Sequence, residues 1–298
     1  MPNCSVRACT AACLALTFTL IGTEAAAAPF TGPVSPYYLD DYFDFSIYVV
    51  QGGTVINHFP WVYSPASYGN YNEGILAVTN VVTTNGFGTE TGLGKAGQYT
   101  LAGVPTGVGH NAQATPGFTN ELQPDGTSDG KYNYTVQFHA TDSSNHEVEA
   151  VVRTDLNWQN PTVLFSVEQG FAGIAYDPNN NSLWLSNYDQ NFLSDWSLDG
   201  NLLSSFSTGD NALSALGFDP ADSTLWGSVG TSNFLQQWTT TGVLLQTGVP
   251  TGLPEGSLMG GEFAEAGSPT GTQVPEPFSM ALFGIGLAGL GYWRRRET

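Results

Sequence analysis

The segment of residues 125–130, Asp-Gly-Thr-Ser-Asp-Gly, concentrates side chains that could do chemistry. Its last five residues satisfy the G-x-S-x-G string of a serine nucleophile, centred on Ser128. That motif needs a strand before it and a helix after it, because this geometry strains the turn and exposes the serine. Here Pro124 precedes the segment and a strand-like run from Tyr132 follows it. We therefore expect no catalytic residue in this segment.

Asp125 and Asp129 stand at positions 1 and 5 of what resembles a calcium-binding loop, with Gly130 at position 6. Position 12 is Val136 rather than Glu, so the segment is not an EF-hand. The two carboxylates could hold Ca²⁺ loosely, or they could form a plain Asx-Gly turn. Calcium is the one cofactor that the sequence suggests, with Asp125 and Asp129 as its candidate ligands.

A second group of candidate metal ligands flanks a predicted hairpin tip at residues 142–145. Its members are His139, Asp142, His146 and Glu147. Histidine paired with histidine or glutamate across a turn can chelate a transition metal. A solvated hairpin explains the same pattern and is the commoner outcome.

Composition and charge narrow the class of protein. The chain has 26 acidic and seven basic residues, for a net charge of −19, which excludes nucleic-acid binding through phosphates. Between residues 28 and 273 the only basic residues are Lys95, Lys131 and Arg153, against 23 acids. The three cysteines lie within the first thirteen residues, so the rest of the chain has no disulfide framework and no cysteine-based metal site.

The elements that must position these residues belong to a repeat with a period of 42 residues. Asp177-Pro178 recurs at Asp219-Pro220, and Leu183-Trp184 recurs at Leu225-Trp226. Each unit contains four short strand patterns, and Asp199-Gly200 is a strong hairpin signal between the last two. Four strands in about 40–45 residues are typical of one blade of a β-propeller.

First-strand candidates near residues 74, 133, 173, 215 and 257 predict an all-β propeller of about five four-stranded blades. No pattern of outer strands follows the last candidate, near residue 257, in the sequence. A pattern around Gly53, near the start of the chain, matches the outer strands of a blade. The N-terminus is therefore expected to close the ring by completing the final blade. Six or seven blades, or a β-sandwich, also fit the pattern. Tryptophans at blade positions are expected to pack between blades rather than stack on sugars: Trp158, Trp184, Trp196, Trp226 and Trp238.

The two ends of the chain carry targeting signals. Residues 1–27 have one arginine, an apolar run and small residues before Pro29, which predicts a secretory signal peptide. Residues 274–298 contain an apolar stretch at 278–293, which predicts one transmembrane helix with its basic end in the cytoplasm. An uncleaved anchor at either end would fit the same hydropathy. The flanking residues of the C-terminal stretch are Pro275, Glu276 and Pro277 before it and Arg294, Arg295 and Arg296 after it.

This three-part tail resembles the PEP-CTERM sorting signal of bacteria that make extracellular polysaccharide. The resemblance implies export, a transient anchor in the inner membrane, and cleavage by an exosortase-type membrane protease that leaves the protein at the cell surface or outside the cell. Separately, residues 173–245 are similar to the repeats of NHL-like and lactonase-like propellers. The metal ligands of the lactonase-like group have no matching motif here, so no catalytic residue is carried over.

We expect residues 28–273 to form an exported, non-enzymatic domain with a binding or structural role; its ligand is not indicated by the sequence, and extracellular polysaccharide or surface proteins are the candidate partners. The alternative is a secreted metal-dependent hydrolase or lactonase on a propeller scaffold. Convergence of carboxylates and histidines from three or more blades on one end of the central channel would favour the enzyme.

The two terminal signals predict how the chain is processed. In a host with an exosortase, the mature protein should begin near Ala28 and end near residues 274–277. Intact-mass measurement of extracellular protein checks both ends. Extracellular protein that still contains Trp293 would contradict release.

Overall fold

The computed structural model describes residues 29–63, 75–86, 95–111, 113–119, 121–209 and 211–264. No helix within these ranges is long and apolar enough to cross a bilayer. The predicted signal peptide, the PEP-CTERM residues and the predicted membrane helix at 278–293 lie outside the described residues.

The described strands, numbered in chain order, form five four-stranded antiparallel sheets, which we call blades 1 to 5. Blade 1 contains β4 (Ile75–Val78), β5 (Val81–Asn85), β6 (Lys95–Thr100) and β7 (Pro105–Asn111). Blade 2 contains β9 (Gly126–Ser128), β10 (Asn133–Val136), β12 (Glu149–Thr154) and β13 (Thr162–Val167). Blade 3 contains β14 (Phe171–Asp177), β15 (Ser182–Asn187), β16 (Phe192–Ser197) and β17 (Leu202–Ser207). Blade 4 contains β18 (Leu213–Asp219), β19 (Thr224–Val229), β20 (Leu235–Thr239) and β21 (Leu244–Gly248). Blade 5 contains β22 (Leu258–Phe263), β1 (Tyr37–Asp41), β2 (Ser46–Gln51) and β3 (Thr54–Pro60). A two-stranded ribbon joins β8 (Phe118–Thr119) to β11 (Thr141–Asp142).

The innermost strands of the blades form a closed ring around a central channel. Strand β4 contacts β9, β9 contacts β14, β14 contacts β18, β18 contacts β22, and β22 contacts β4. This arrangement confirms the predicted five-bladed β-propeller.

The N-terminus closes the ring, as expected from the unpaired last strand. Strand β22 pairs with β1, with Tyr37 opposite Phe263. Asp219, at the end of β18, holds the segment that precedes β1. Its Oδ2 accepts the N–H groups of Val34 and Ser35 at 3.1 and 3.0 Å. Blade 4 therefore anchors the segment that completes blade 5.

The 42-residue repeat corresponds to equivalent positions in blades 3 and 4. Trp184 pairs with Ala175, and Trp226 pairs with Gly217, in the same register. Gly200 and Gly242 occupy equivalent hairpin turns with φ of 80° and 87°. A Cβ at Gly200 would lie 2.7 Å from Phe165 of the preceding blade, so the repeat keeps glycine for close approach as well as for conformation.

Tryptophans of the second strands fill the space between blades. Trp184 is 1% exposed and packs with Leu216 and Phe218 of blade 4, whereas Trp226 is fully buried and packs with Tyr37 and Phe263 of blade 5. The expectation of packing between blades is confirmed for these two residues.

Blade 2 departs from the sequence prediction in two places. Its innermost strand is Gly126–Ser128, and the predicted first strand near residue 133 is its second strand. The prediction missed this short strand because the Asp and Gly residues around Ser128 favour a turn. Trp158, predicted at a blade position, lies in the turn between β12 and β13 and is buried against Ala77 of blade 1.

Removal of Trp184 tests the packing between blades. Trp184→Ala should lower the free energy of unfolding by about 3–5 kcal/mol, because a large buried ring leaves a cavity. Urea denaturation of the variant measures this, with Phe43→Ala as the control because Phe43 is 70% exposed. A loss below about 0.5 kcal/mol for Trp184→Ala, as at surface sites, would contradict the assignment.

Candidate functional site at the mouth of the channel

The innermost strands of all five blades end at one mouth of the channel, where they line a cavity. Its volume is about 340 Å³. The lining residues stand at or just beyond the ends of these strands: Val78, Ser128, Asp129, Tyr176, Pro178, Phe218, Pro220, Glu262 and Phe263. The Asp-Pro turns of the repeat thus place one proline each from blades 3 and 4 at the rim. The volume lies at the lower end of the range for small-molecule sites, which is about 300–1,000 Å³.

The carboxylate of Asp125 lies inside the channel and joins four blades. Its Oδ1 accepts the N–H groups of Gly126 and Gly261, each at 2.9 Å. Its Oδ2 accepts the N–H groups of Ile174 at 3.1 Å and Leu216 at 2.8 Å. These donors belong to the innermost strands of blades 2, 5, 3 and 4, so one side chain satisfies a backbone group in each.

The channel wall around Asp125 is closely packed. A Cβ at Gly261 would lie 2.3 Å from the carbonyl oxygen of Ala215, and a Cβ at Gly173 would lie 2.9 Å from the Cβ of Leu216. The hydroxyl of Tyr37 donates to the carbonyl oxygen of Ala215. Glycine at these positions lets the innermost strands approach each other around the carboxylate.

Burial is the main cause of the shifted pKa values of Asp125 and Tyr37 in the channel. Asp125 is fully buried, which raises its pKa well above the usual range, and its backbone hydrogen bonds act in the opposite direction. Because the folded-state pKa is raised, the ionised carboxylate costs stability as pH rises above the pKa of the unfolded chain, and the four amides offset part of that cost. Burial also raises the pKa of Tyr37, and the nearby charges of Asp125 and Glu262 raise it further.

The two predicted calcium ligands lie at opposite ends of β9, and each is engaged by protein donors. Asp129 is half-buried at the mouth; its Oδ1 accepts the N–H groups of Lys131 and Tyr132, and its Oδ2 accepts the Tyr134 hydroxyl at 2.7 Å. Among the described residues, no third metal-ligating side chain groups with Asp125 and Asp129. Calcium at this pair stays a prediction, and the donors just named would compete with it.

Ser128 lies at the end of β9, and strand β10 follows it rather than a helix. Its hydroxyl donates to the carbonyl oxygen of Tyr132 at 2.9 Å and accepts the N–H of Gly130 at 3.1 Å. This is the bonding of a tight turn, and the strand–turn–helix context of a nucleophile is missing at this position.

The predicted hairpin at residues 142–145 forms, but it divides the four candidate ligands into two pairs. Asp142 and His146 contact each other at the tip, with Asp142 Oδ2 3.5 Å from His146 Nδ1. His139 and Glu147 contact each other at the base of the hairpin and are joined there by Glu149. Sequence reasoning missed Glu149, because it reads as an ordinary strand residue.

Comparison with known proteins assigns the C-terminal segment. Residues 273–296 match the PEP-CTERM protein-sorting motif. This match confirms the resemblance of the tail and indicates a surface protein that an exosortase membrane protease sorts. No curated protein matches the chain.

Several solved structures are similar to this chain at low sequence identity. A protein of unknown function from Bacteroides caccae is 10% identical, with a TM-score of 0.42, over 72% of this chain and 73% of that one. The nidogen/laminin complex is 12% identical, with a TM-score of 0.48, over 76% of this chain and 97% of that one. A gluconolactonase from Xanthomonas campestris is 16% identical, with a TM-score of 0.44, over 64% of each chain. At these values the similarities say nothing about ligand or activity.

Substitution of Asp125 tests whether its carboxylate holds the blades together. Asp125→Asn replaces one oxygen by a donor and so leaves two buried N–H groups without an acceptor. The free energy of unfolding should fall by about 2–6 kcal/mol, since each orphaned buried donor costs about 1–3 kcal/mol. Urea denaturation measures the change, with Asp199→Asn in an exposed turn as the matched control. Equal small losses in both variants would show that the channel tolerates the missing acceptor.

Proposed function

We propose that this chain is an exported, exosortase-sorted surface protein whose propeller binds a neutral carbohydrate unit at the mouth of its channel without chemical turnover. The observation that carries the proposal is the composition of the cavity, to which all five blades contribute. Its apolar and aromatic wall surrounds a few polar groups, as in ligand sites generally.

The lining offers sugars both kinds of contact that they use. Half-buried Tyr176 supplies aromatic surface for the apolar face of a sugar ring, and the buried rings of Phe218 and Phe263 lie in the wall beside it. The carboxylates of Asp129 and Glu262 are acceptors in the lining; Asp129 already accepts two backbone N–H groups and the Tyr134 hydroxyl, so a sugar hydroxyl group would bind to its remaining lone pairs. Hydroxyl-bearing ligands therefore complement the cavity better than purely apolar ones.

Charge favours neutral over acidic sugars. Two carboxylates lie in the cavity lining, and none of the described lining residues is basic. The 23 acids of residues 28–273, against three basic residues, add a long-range potential of the same sign. An anionic sugar would be repelled by the carboxylates of the lining at short range and by the net negative charge of the domain at long range.

The lining also bears on the alternative of a metal-dependent hydrolase or lactonase. Carboxylates reach the cavity from two blades, through Asp129 and Glu262, and no histidine is among the lining residues. The criterion of carboxylates and histidines from three or more blades is not met in the described part of the channel mouth.

A binding panel with one cavity variant tests the proposal. Neutral, amino and uronic-acid trisaccharides of matched linkage are titrated into the purified protein by calorimetry. We expect neutral trisaccharides to bind better than uronic-acid ones, and Tyr176→Ala to weaken that binding about tenfold, which is about 1.4 kcal/mol. Tyr188→Ala is the matched control, because Tyr188 is also half-buried and lies outside the cavity lining.

Three results would contradict the proposal. The first is preference for uronic acids, and the second is equal loss of affinity in the Tyr176→Ala and Tyr188→Ala variants. The third is turnover of aldonolactones or glycosidic bonds after incubation with Ca²⁺ or Zn²⁺, which would favour the enzyme instead.

A further inference from the structure

A cluster of metal-ligating side chains lies at the end of the propeller opposite the cavity. Strand β14 begins at this end with Phe171 and ends at the cavity with Asp177. The cluster joins His139, after β10, to Glu147, just before β12, and Glu149, the first residue of β12. It is therefore independent of the channel mouth and of the function proposed there.

The three side chains converge closely enough to share one ion. One ligand atom from each lies within 4.8 Å of the other two, and this is the one such group within the described ranges. His139 Nδ1 contacts Glu147 Oε1 and lies 3.8 Å from Glu149 Oε1. Ligands bound at about 2.0–2.2 Å in a tetrahedral zinc site lie about 3.4 Å apart, so small adjustments would complete the geometry.

The backbone fixes the carboxylate of Glu149 in place. Glu149 is 3% exposed, and its Oε1 accepts the N–H groups of His139 at 2.9 Å and Gly170 at 3.0 Å. Its Oε2 accepts the N–H of Phe171 at 3.1 Å. A buried carboxylate that is oriented by amides behind it has the arrangement that supports metal ligands in proteins.

The other ring nitrogen of His139 also has a suitable partner. Its Nε2 lies 3.6 Å from Oδ2 of Asp189, in the turn after β15. A ligating histidine usually directs its second nitrogen to a carboxylate, which fixes the tautomer. Gly170 allows this approach, because a Cβ there would lie 2.8 Å from Asp189 Oδ2.

His139 holds a backbone conformation that its residue type rarely adopts. Its φ is 50°, in the left-handed region, where residues other than glycine are uncommon. In this conformation the backbone N–H of His139 donates to Glu149, and the imidazole ring contacts Glu147. Strain of this kind is concentrated at functional sites.

We infer that His139, Glu147 and Glu149 form a binding site for a divalent transition-metal ion of the zinc class, with Asp189 as the carboxylate that orients His139. A neutral imidazole and two carboxylates carry a charge that one divalent cation neutralises. Imidazole favours zinc-class ions, whereas Ca²⁺ takes oxygen ligands. Because His139 and Glu147 are partly exposed, the ion keeps a position open to solvent.

The ordinary alternative is an ion pair between protonated His139 and its carboxylates. Zn²⁺ titration of the purified protein by calorimetry, in excess Mg²⁺ and Ca²⁺, separates the two. We expect one Zn²⁺ per chain, binding at least tenfold weaker in Glu147→Gln and no stoichiometric binding in His139→Ala. His146→Ala should bind Zn²⁺ as the native protein does, because His146 lies on the same hairpin outside the cluster.

Each other outcome overturns the inference. Absence of one-to-one binding to the native protein leaves only the ion pair, and binding that survives His139→Ala places the metal elsewhere. Equal competition by Ca²⁺ would exclude a site built around imidazole. Circular dichroism of each variant confirms the fold, and the trisaccharide titrations should be unchanged by His139→Ala, so failure of this site and failure of the proposed function are distinguishable.

Discussion

The propeller depends on one buried side chain, the carboxyl group of Asp125, to satisfy backbone donors that face the channel. Its donors come from four blades, so the innermost strands cannot move apart without breaking hydrogen bonds at a single point. A buried amide without an acceptor is costly, and water would need room that the packed glycines do not leave. The positions of the strand ends, and therefore of the cavity and its Asp-Pro rim, follow from this constraint.

The sequence predicted the blades best where the repeat is regular. The 42-residue spacing gives blades 3 and 4 the same register, so the spacing alone was enough to assign Trp184 and Trp226 to equivalent positions. Blade 2 could not be placed as well, because its innermost strand is three residues long and lies between Asp125 and Asp129. The residues of this segment favour a turn by themselves, so the local sequence does not predict a strand. The strand forms because of its contacts with the neighbouring blades.

The candidate sites show the same division between local and distant information. His139 and Glu147 were recognisable because a hairpin brings nearby residues together. The role of Asp125 was not, because its partners Ile174, Leu216 and Gly261 are 49, 91 and 136 residues away and contribute backbone groups, which no residue type signals. Glu149 was missed for a related reason, since two of its three donors come from the turn before β14 and its start.

The acidity of the chain has a structural explanation in many places. Asp142 and Asp155 each accept N–H groups of the turns that follow them, and Asp219 accepts those of Ala221 and the N-terminal segment. In these turns the carboxylate substitutes for a backbone acceptor, which is why short polar side chains are favoured there. Backbone amides thus satisfy the carboxylates of these three residues. The base of the β10–β12 hairpin differs, because there an imidazole lies beside two carboxylates, and that combination supplies the nitrogen and oxygen ligands that a zinc-class ion takes.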